Sequence, residues 1–429
     1  MTQPSAALFA MPEVDFGFDS IEDMAERLVA LEKSGPPVVR VRYKGGDAWL
    51  VLGYENVSHL LSNDAKLPAG IFFRREFDTL GHSLLHMEGE SHRVYKAVLG
   101  QPFAASAVKR LTAKTLVPVA DSIIDDFGAR RELDLNEEYG RRYGFNVMSA
   151  ILGVPVPKAQ ERELMDLIVA MVQVKSPNTP AEARRARAFA AIEHANEIIR
   201  PVLAERRATP RDDMISLLVS ANFNGHKLTE DEVLDFVRST YLAGSDSTGL
   251  MLGNMMTALL SRPGLKEDLL AHPEHRPAVV DELVRLEPVT GLLPRLTIAD
   301  TEVAGITIPA GSQVLLDIPG ANRNAKIFPD PNTLSLNRTH RAVSLSFGGG
   351  AHFCLGYHLA REELRVSVSR LLDRLPGLSL AGRRGFPGGS QIRFIPEGVR
   401  IKFNTILDGG SIPYQPLHMT QRRDSPMVQ

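Results

Sequence analysis

Apolar residues recur at helical spacing along most of this chain, and short alternating runs occur towards both ends. The spacing predicts a helix over 21–33, ended by Pro36, followed by a hairpin in which Val38–Tyr43 and 48–52 flank a Gly-Gly turn. Helical periodicity then dominates the middle of the chain. The segments concerned are 54–62, 91–98, 106–128, 138–153, 158–174, 180–205, 212–221, 229–261, 264–271 and 276–287.

This run of helical periodicity ends at Glu287, and beyond it prolines divide the chain into short segments. We predict strands over 301–308 and 312–318, a helix over 356–374, and further strands near 391–395 and 399–404. No repeat or flexible linker divides the sequence. The predicted fold class is therefore mainly α with small β-sheets, in one domain over 1–407 whose N- and C-terminal strands pair. Residues 408–429 are polar and aperiodic, which predicts an extended or disordered C-terminal tail.

Composition narrows the class of protein. Hydrophobic residues make up 44% and charged residues 23%, as in ordinary globular domains. A net charge of −2 argues against a nucleic-acid binder. No stretch approaches the ~20 apolar residues of a membrane span, and acidic residues stand where a signal peptide needs positive charge. A single cysteine excludes an internal disulfide. We expect a soluble, cytoplasmic protein without a membrane span, and a monomer.

The segment 346–356 is the most informative, because three consecutive glycines precede the chain's only cysteine, Cys354, just before a helix. The positive end of a helix dipole lowers the pKa of a thiol and favours the thiolate that ligates metals or attacks electrophiles. Three other interpretations compete. The cysteine could be a small buried hydrophobe, the glycines could bind phosphate (no Lys-Ser/Thr pair follows), or the site could be a cysteine protease whose flanks match no local signature. On spacing alone, a structural and a functional role for Cys354 are equally supported.

A resemblance separates them. The segment resembles the heme-binding loop of the cytochrome P450 superfamily, Phe-x-x-Gly-x-(His/Arg)-x-Cys-x-Gly, with Phe347, Gly350, His352, Cys354 and Gly356 in register. The resemblance implies the cytochrome P450 fold, heme b (iron protoporphyrin IX) as cofactor and Cys354 as the metal ligand. It also implies cofactor contacts from the rest of the loop, namely Phe347, Gly348, His352 and Gly356.

Two further segments lengthen the resemblance. The family carries a Glu-x-x-Arg pair on a helix, and Glu282 and Arg285 fit it, with Arg338 as the third member. Residues three apart share a helix face and can form an ion pair. By resemblance this trio is structural, not catalytic, and holds the irregular segment beneath the cysteine loop. The run 321–331 is similar to the Ala-Asn-Arg-Asp…Phe-Pro-Asp-Pro run of bacterial members.

The long helix over 229–261 contains a polar segment, 243–248, that breaks the usual rules of helix composition. Such breaks mark functional sites, although a kink relieved by serine hydroxyls or water is an alternative. The segment is similar to the family pattern (Ala/Gly)-Gly-x-(Asp/Glu)-Thr, with Ser247 where threonine is usual. The resemblance implies catalytic proton delivery by Asp246, Ser247 and Thr248.

The heme propionates of this family are held by basic side chains. By resemblance these are Arg295 and a helical pair, His92 and Lys96, in which lysine replaces the usual arginine and gives up its planar fork. The alternative for the pair is an ordinary solvated helix face. A histidine often present three residues before the loop phenylalanine is replaced by Ser344.

The resemblance implies a monooxygenase that inserts one atom of O2 into an apolar small molecule, by hydroxylation or epoxidation. Electrons would come from NAD(P)H through a separate ferredoxin or flavodoxin-type donor, because the chain has no nucleotide fingerprint, flavin domain or four-cysteine cluster. A coupling oxidase or peroxygenase is an alternative, and a non-catalytic heme sensor another. Candidate donor contacts are Arg93, Lys109, Arg110 and Arg365. Candidate substrate walls are Ile71, Phe72, Phe73, Met171, Val172, Tyr241, Leu242, 289–293 and Ile392.

Overall fold

The computed structural model describes residues 10–19, 21, 23–171, 181–223, 225–338, 344–383, 398–412 and 414. This part of the chain is mainly helical, with three small sheets, as predicted. The helices are α1 (Met24–Ser34), α2 (Tyr54–Leu61), α3 (Ala69–Glu76), α4 (Gly89–Leu99), α5 (Ala105–Leu111), α6 (Val117–Asp125), α7 (Arg141–Leu152), α8 (Glu161–Ala170), α9 (Ala181–Ala208), α10 (Met214–Ser220), α11 (Glu230–Ser261), α12 (Leu265–Ala271), α13 (Arg276–Leu286), α14 (Ile318–Ala321) and α15 (Tyr357–Arg374).

The strands are short and fall near both ends of the chain. The hairpin and the strand over 312–318 were predicted within two residues, whereas the predicted strand 301–308 is two strands that reverse at Gly305, where φ is 79°. The predicted strand near 391–395 lies outside the described residues. The strands are β1 (Val38–Tyr43), β2 (Gly46–Val51), β3 (Glu132–Asp134), β4 (Leu292–Leu296), β5 (Thr301–Val303), β6 (Ile306–Ile308), β7 (Gln313–Asp317), β8 (Ser379–Arg383) and β9 (Val399–Lys402).

The largest sheet joins the two ends of the chain in the order β1-β2-β7-β4. Strand β2 runs parallel to β7, with Val51 opposite Leu316, and β4 pairs with β7 in the antiparallel sense. This confirms the predicted pairing of N- and C-terminal strands. A second sheet, β3-β9-β8, likewise joins distant segments. Strand β4 carries Arg295 into the interior.

Helix α11 runs through the core and organises the helical part. Its N-terminus has a capping box, in which Thr229 and Glu232 bind each other's backbone N–H groups. Helix α7 packs closely against its middle at a glycine: a Cβ added to Gly144 would overlap the carbonyl oxygen of Ser245. Such close packing holds the polar segment of α11 in a fixed place relative to the core.

A C-terminal strap, residues 404–412, runs back along α15 after β9. The buried guanidinium of Arg370 donates to the Ile412 carbonyl at 2.7 Å, and that of Arg374 donates to the Leu407 carbonyl at 2.9 Å. Both also bind Asp121 on α6. Of the predicted tail, only 408–412 and 414 belong to the described residues, and 408–412 form the end of this strap. Within the described ranges, no helix is long and apolar enough to span a membrane.

Candidate active site

The cysteine loop is fixed by its own backbone. The Cys354 N–H donates to the Phe347 carbonyl at 3.0 Å, which closes the loop just before α15. Gly348 and Gly350 have φ of 73° and 62°, a conformation that side-chain-bearing residues rarely adopt. A Cβ at Gly350 would also overlap the carbonyl oxygen of Leu61, at the end of α2. The glycine run therefore serves both the turn and a close contact with α2.

Burial is the main control on the pKa of the Cys354 thiol. Desolvation raises its pKa, while the Gly356 N–H and the charge of Lys96 act in the lowering direction and Glu363 acts in the raising direction. The net pKa is raised, so the prediction of a lowered thiol pKa is wrong for the protein alone. The reason is that the helix end is outweighed by the apolar surroundings. Since a coordinating thiol is deprotonated outright, thiolate formation is coupled to metal binding at this position.

A cavity of about 380 Å³ extends from Cys354 to the middle of α11. One wall is the cysteine loop, with Phe347, Gly348, His352 and Gly356, and the facing wall includes Ala243, Gly244, Ser247 and Thr248. The remaining lining is mostly apolar and comes from α3, the segment after it, α11 and the approach to β4. It includes Phe73, Leu84, Leu85, Phe236, Val289 and Leu293.

Basic side chains gather at one end of this cavity. His92, Lys96, Arg295 and His352 all line it. Arg295 is only 3% exposed, its guanidinium donates to the Pro294 carbonyl, and no carboxylate in the described part of the chain lies within ion-pair distance. Burial lowers the pKa of Arg295 to about 10. Asp64 is near enough to act on this charge but forms no ion pair with it. A buried cation without a carboxylate in contact is costly, and it suits a ligand that brings its own carboxylates.

The two histidines lie against each other, with ring centroids 4.2 Å apart. Burial, together with the nearby charges of His92, Arg295 and Lys96, lowers the pKa of His352 to about 3. His352 is therefore a neutral hydrogen-bonding ring at physiological pH. Together with Arg295 and Cys354, the two histidines suit the propionates and the iron of a heme, the predicted cofactor.

Lys96 faces the cysteine loop. Its Nζ donates to the Ala351 carbonyl at 2.5 Å and to the Phe353 carbonyl at 2.7 Å. It thus shares a helix face with His92, as predicted, but its hydrogen bonds go to loop carbonyls. Its predicted role at a propionate stays a prediction.

The polar segment of α11 keeps its hydroxyls bonded to the helix. The Ser247 Oγ donates to the Ala243 carbonyl at 2.7 Å, and Thr248 contacts the Gly244 carbonyl at 3.3 Å. Helical geometry continues through the segment, so these hydroxyls do not compensate for a kink in the helix. Asp246 is half-buried and stands outside the cavity wall. Its predicted catalytic role, like those of Ser247 and Thr248, stays a prediction.

Glu363 is a site residue that the sequence interpretation missed. It is 1% exposed on α15, lines the cavity and accepts a hydrogen bond from Thr248 at 3.0 Å. Burial raises its pKa to about 8, and within the described part its Oε1 has no hydrogen-bond partner. A signal existed, because Glu363 follows Leu359 by four residues and so occupies the apolar face of an amphipathic helix.

The predicted ionic trio is present beneath the loop. Arg285 binds Glu282 through two 2.9 Å contacts, and Arg338 binds both carboxylate oxygens at 3.0 and 2.9 Å. Desolvation by burial acts to raise the pKa of Glu282, but the two guanidiniums and the Ser335 N–H outweigh it and leave the pKa lowered. Arg285 also donates to the Asn322 carbonyl, so the trio ties α13 to the irregular segment.

Several expected contacts lie elsewhere. Tyr241 points into the core, where it bonds Ser149 at 2.9 Å, and does not line the cavity. Val172 and Ile392 are outside the described residues. Of the proposed donor contacts, Arg93 pairs with Glu90 and Arg365 with Asp281, whereas Lys109 and Arg110 are exposed on α5.

Known proteins match both the sequence and the fold. The family model described as Cytochrome P450 matches residues 13–376. The mycinamicin IV hydroxylase/epoxidase of Micromonospora griseorubida is 32% identical over 353 residues, 80% of this chain and 86% of the relative. The cytochrome P450 monooxygenase PikC of Streptomyces venezuelae is 31% identical over 375 residues, 85% and 86%. A solved structure of a mutant of P450 EryK in complex with erythromycin B matches with a TM-score of 0.75 at 27% identity, covering 89% of this chain and 96% of that one.

Proposed function

The chain belongs to the cytochrome P450 family and is a heme-iron monooxygenase of the bacterial type, and we propose that its substrate is an apolar small molecule. The reaction proposed is insertion of one atom of O2 by hydroxylation or epoxidation, the pair of activities in the name of the mycinamicin relative. One observation carries the proposal: the thiol of Cys354 and the hydroxyls of α11 line the same cavity, whose other walls are mostly apolar.

The proposed cofactor is heme b, with Cys354 as its thiolate ligand. Arg295, His92 and His352 are the side chains proposed to hold its propionates, because they line one end of the cavity and Arg295 has no carboxylate partner within the described segments. When bound, a thiolate-ligated heme supplies O2 activation and O–O cleavage.

The chain's own groups position the substrate and move protons. Phe73, Phe236 and Leu293 exclude water and favour an uncharged ligand, while Ser239, Thr240 and Thr290 offer hydroxyls that can orient a polar substituent. Ser247 and Thr248 place hydroxyl groups on the cavity wall. Behind Thr248, Glu363 remains largely protonated at neutral pH because its pKa is about 8, and so it can hold a proton beside the hydroxyl of Thr248.

Electrons are proposed to come from a separate ferredoxin or flavodoxin-type donor. A single cysteine cannot hold a four-cysteine cluster, and no nucleotide-binding fingerprint occurs in the sequence. The exposed cations Lys109 and Arg110 on α5 are the proposed docking contacts. A monomeric state and a cytoplasmic location also remain predictions; a chain without internal disulfides suits a reducing compartment.

The test is the reduced, carbon-monoxide difference spectrum of the purified protein, which should show the red-shifted Soret band of thiolate ligation. Cys354→Ser should abolish that band; a persistent band would identify another ligand. Apolar compounds that displace water should then shift the spin state. With 18O2 and a ferredoxin–reductase pair, one labelled oxygen should enter the product. Turnover with peroxide but not with O2 and NAD(P)H would instead support the peroxygenase alternative.

A further inference from the structure

We infer that Lys96 is the positioning residue of the cysteine loop, clamping two loop carbonyls and fixing a positive charge behind Cys354. The inference rests on the proposed function of Cys354 as heme ligand. It assigns Lys96 a role different from a propionate contact. The observation behind it is the pair of Nζ contacts, 2.5 Å to the Ala351 carbonyl and 2.7 Å to the Phe353 carbonyl.

The contacts belong to a wider match between α4 and the loop. His92, one turn before Lys96, lies against His352 with ring centroids 4.2 Å apart. Gly100, one turn after it, closely approaches Leu355, whose Cδ1 would lie 3.2 Å from an added Cβ. Residues four apart share a helix face, so a single face of α4 contacts the loop on both sides of Cys354. Lys96 lies at the centre of that face, and within the described part of the chain it is the charged residue of α4 that contacts the loop.

The chemistry of lysine suits this role. An ammonium carries three rotatable donors at one point, and it can bind two carbonyl oxygens that converge from one side. The planar fork of arginine is instead matched to a carboxylate. Lysine at this position therefore binds the loop backbone, whereas arginine would be suited to form two hydrogen bonds to one propionate.

The clamp has an electrostatic consequence. Phe353 directly precedes Cys354, so the ammonium bound to its carbonyl lies close to the sulfur and stabilises negative charge there. Charge and hydrogen bonding near the ligand sulfur set the reduction potential of thiolate-ligated iron. A fixed cation stabilises the reduced, more negative state. Lys96 should therefore raise the potential and keep the ligand in its thiolate form.

The experiment compares the wild-type holoenzyme with Lys96→Met and Lys96→Arg. Lys96→Met keeps the apolar stem and removes the charge. Its reduction potential should become more negative, part of its carbon-monoxide complex should lose the thiolate-type band, and heme transfer to excess apomyoglobin should become roughly tenfold faster, as for a lost charge-assisted hydrogen bond. Lys96→Arg should recover the potential, because the charge returns. Circular dichroism verifies that each variant folds.

Two controls sharpen the result. Lys114→Met removes an exposed cation of α5's neighbouring turn, Thr112–Leu116, and should change none of these quantities. Reconstitution with the dimethyl ester of heme removes the propionate charges. If Lys96 clamps the loop, the difference in potential between wild type and Lys96→Met persists with the ester; if it vanishes, Lys96 serves a propionate and the inference fails.

An unchanged potential and spectrum in Lys96→Met would also overturn the inference. Failure of the proposed function looks different, because the wild-type protein itself would then lack the thiolate-type band.

Discussion

The hydroxyl of Thr248 on α11 donates a 3.0 Å hydrogen bond to the carboxyl group of Glu363 on α15, and both residues line the cavity that ends at Cys354. The bond joins the polar segment of one helix to a buried acid on the helix that follows the cysteine loop. Because Glu363 is 1% exposed, burial raises its pKa to about 8, and the carboxyl group is largely protonated at neutral pH.

Glu363→Gln should change how stability depends on pH. In the unfolded chain the carboxyl group has its ordinary pKa of 4.5, and in the folded protein burial raises the pKa to about 8. Between these values the folded state keeps a proton that the unfolded state has lost, so the free energy of unfolding falls as pH rises. The glutamine variant should show a shallower fall over this interval, measured by urea unfolding.

The matched control is Glu302→Gln, which changes an exposed side chain on β5. Asp317 is another buried acid, and its pKa is raised to about 7. It also makes the free energy of unfolding fall as pH rises, and it does so in the wild type and in both variants. Parallel pH profiles for wild type and Glu363→Gln would contradict the assignment of a raised pKa.

Ser247 should limit the amount of product formed per NAD(P)H consumed. Its hydroxyl now donates to the Ala243 carbonyl, and serine lacks the methyl group that restricts threonine to few rotamers. Ser247→Ala should lower the product formed per NAD(P)H consumed by roughly 2- to 10-fold, the equivalent of one hydrogen bond. Ser247→Thr should raise this ratio above the wild-type value. Product, NAD(P)H and released peroxide are measured together.

Asp246→Asn should slow turnover while substrate binding is kept. The side chain is half-buried next to the cavity wall without lining it, so its removal leaves the apolar surface that binds substrate intact. General acid–base catalysis contributes typically 10²–10⁴-fold, which bounds the expected loss. The measurement pairs NAD(P)H-supported turnover with the spin-state titration of a bound compound. Unchanged turnover would refute the proton-delivery role.

Glu282→Gln should destabilise the fold strongly. The carboxylate lies between the guanidiniums of Arg285 and Arg338, and Arg285 is 2% exposed. Removing the negative charge leaves buried cations without compensation, which costs about 3–5 kcal/mol of unfolding free energy. Glu274→Gln, at an exposed position before α13, is the comparison and should stay near the wild-type stability. Equal midpoints in denaturant would contradict a structural role for the trio.

Local patterns predicted much of this molecule. The hairpin β1–β2, the capped helix α11, the cysteine loop and the trio of Glu282, Arg285 and Arg338 are each encoded within a short segment or by a fixed spacing. Periodicity and capping residues are local properties, so a sequence displays them directly.

What was missed depends on residues distant in the chain. The burial of Glu363 follows from packing against Thr248, 115 positions away, and the raised pKa of Cys354 follows from enclosure by several segments. The strand β4 escaped prediction because its pattern is interrupted by Pro294 and Arg295, and only its pairing with β7 makes it a strand. Likewise, the sequence indicates only that Lys96 shares a helix face with a histidine. Its hydrogen bond to a loop carbonyl depends on the fold.

The parallel pairing of β2 with β7 bears on how the chain is made. Trp49 to Val51 pair with Val314 to Leu316, so the free edge of the N-terminal hairpin has no partner until some 265 residues later in synthesis. At ~5–20 residues per second the delay is roughly 10–50 s. During that time an unpaired, apolar strand edge is exposed to other chains. Expression at low temperature or with a holdase chaperone should therefore raise the yield of native protein, since the sheet closes only after translation has passed β7.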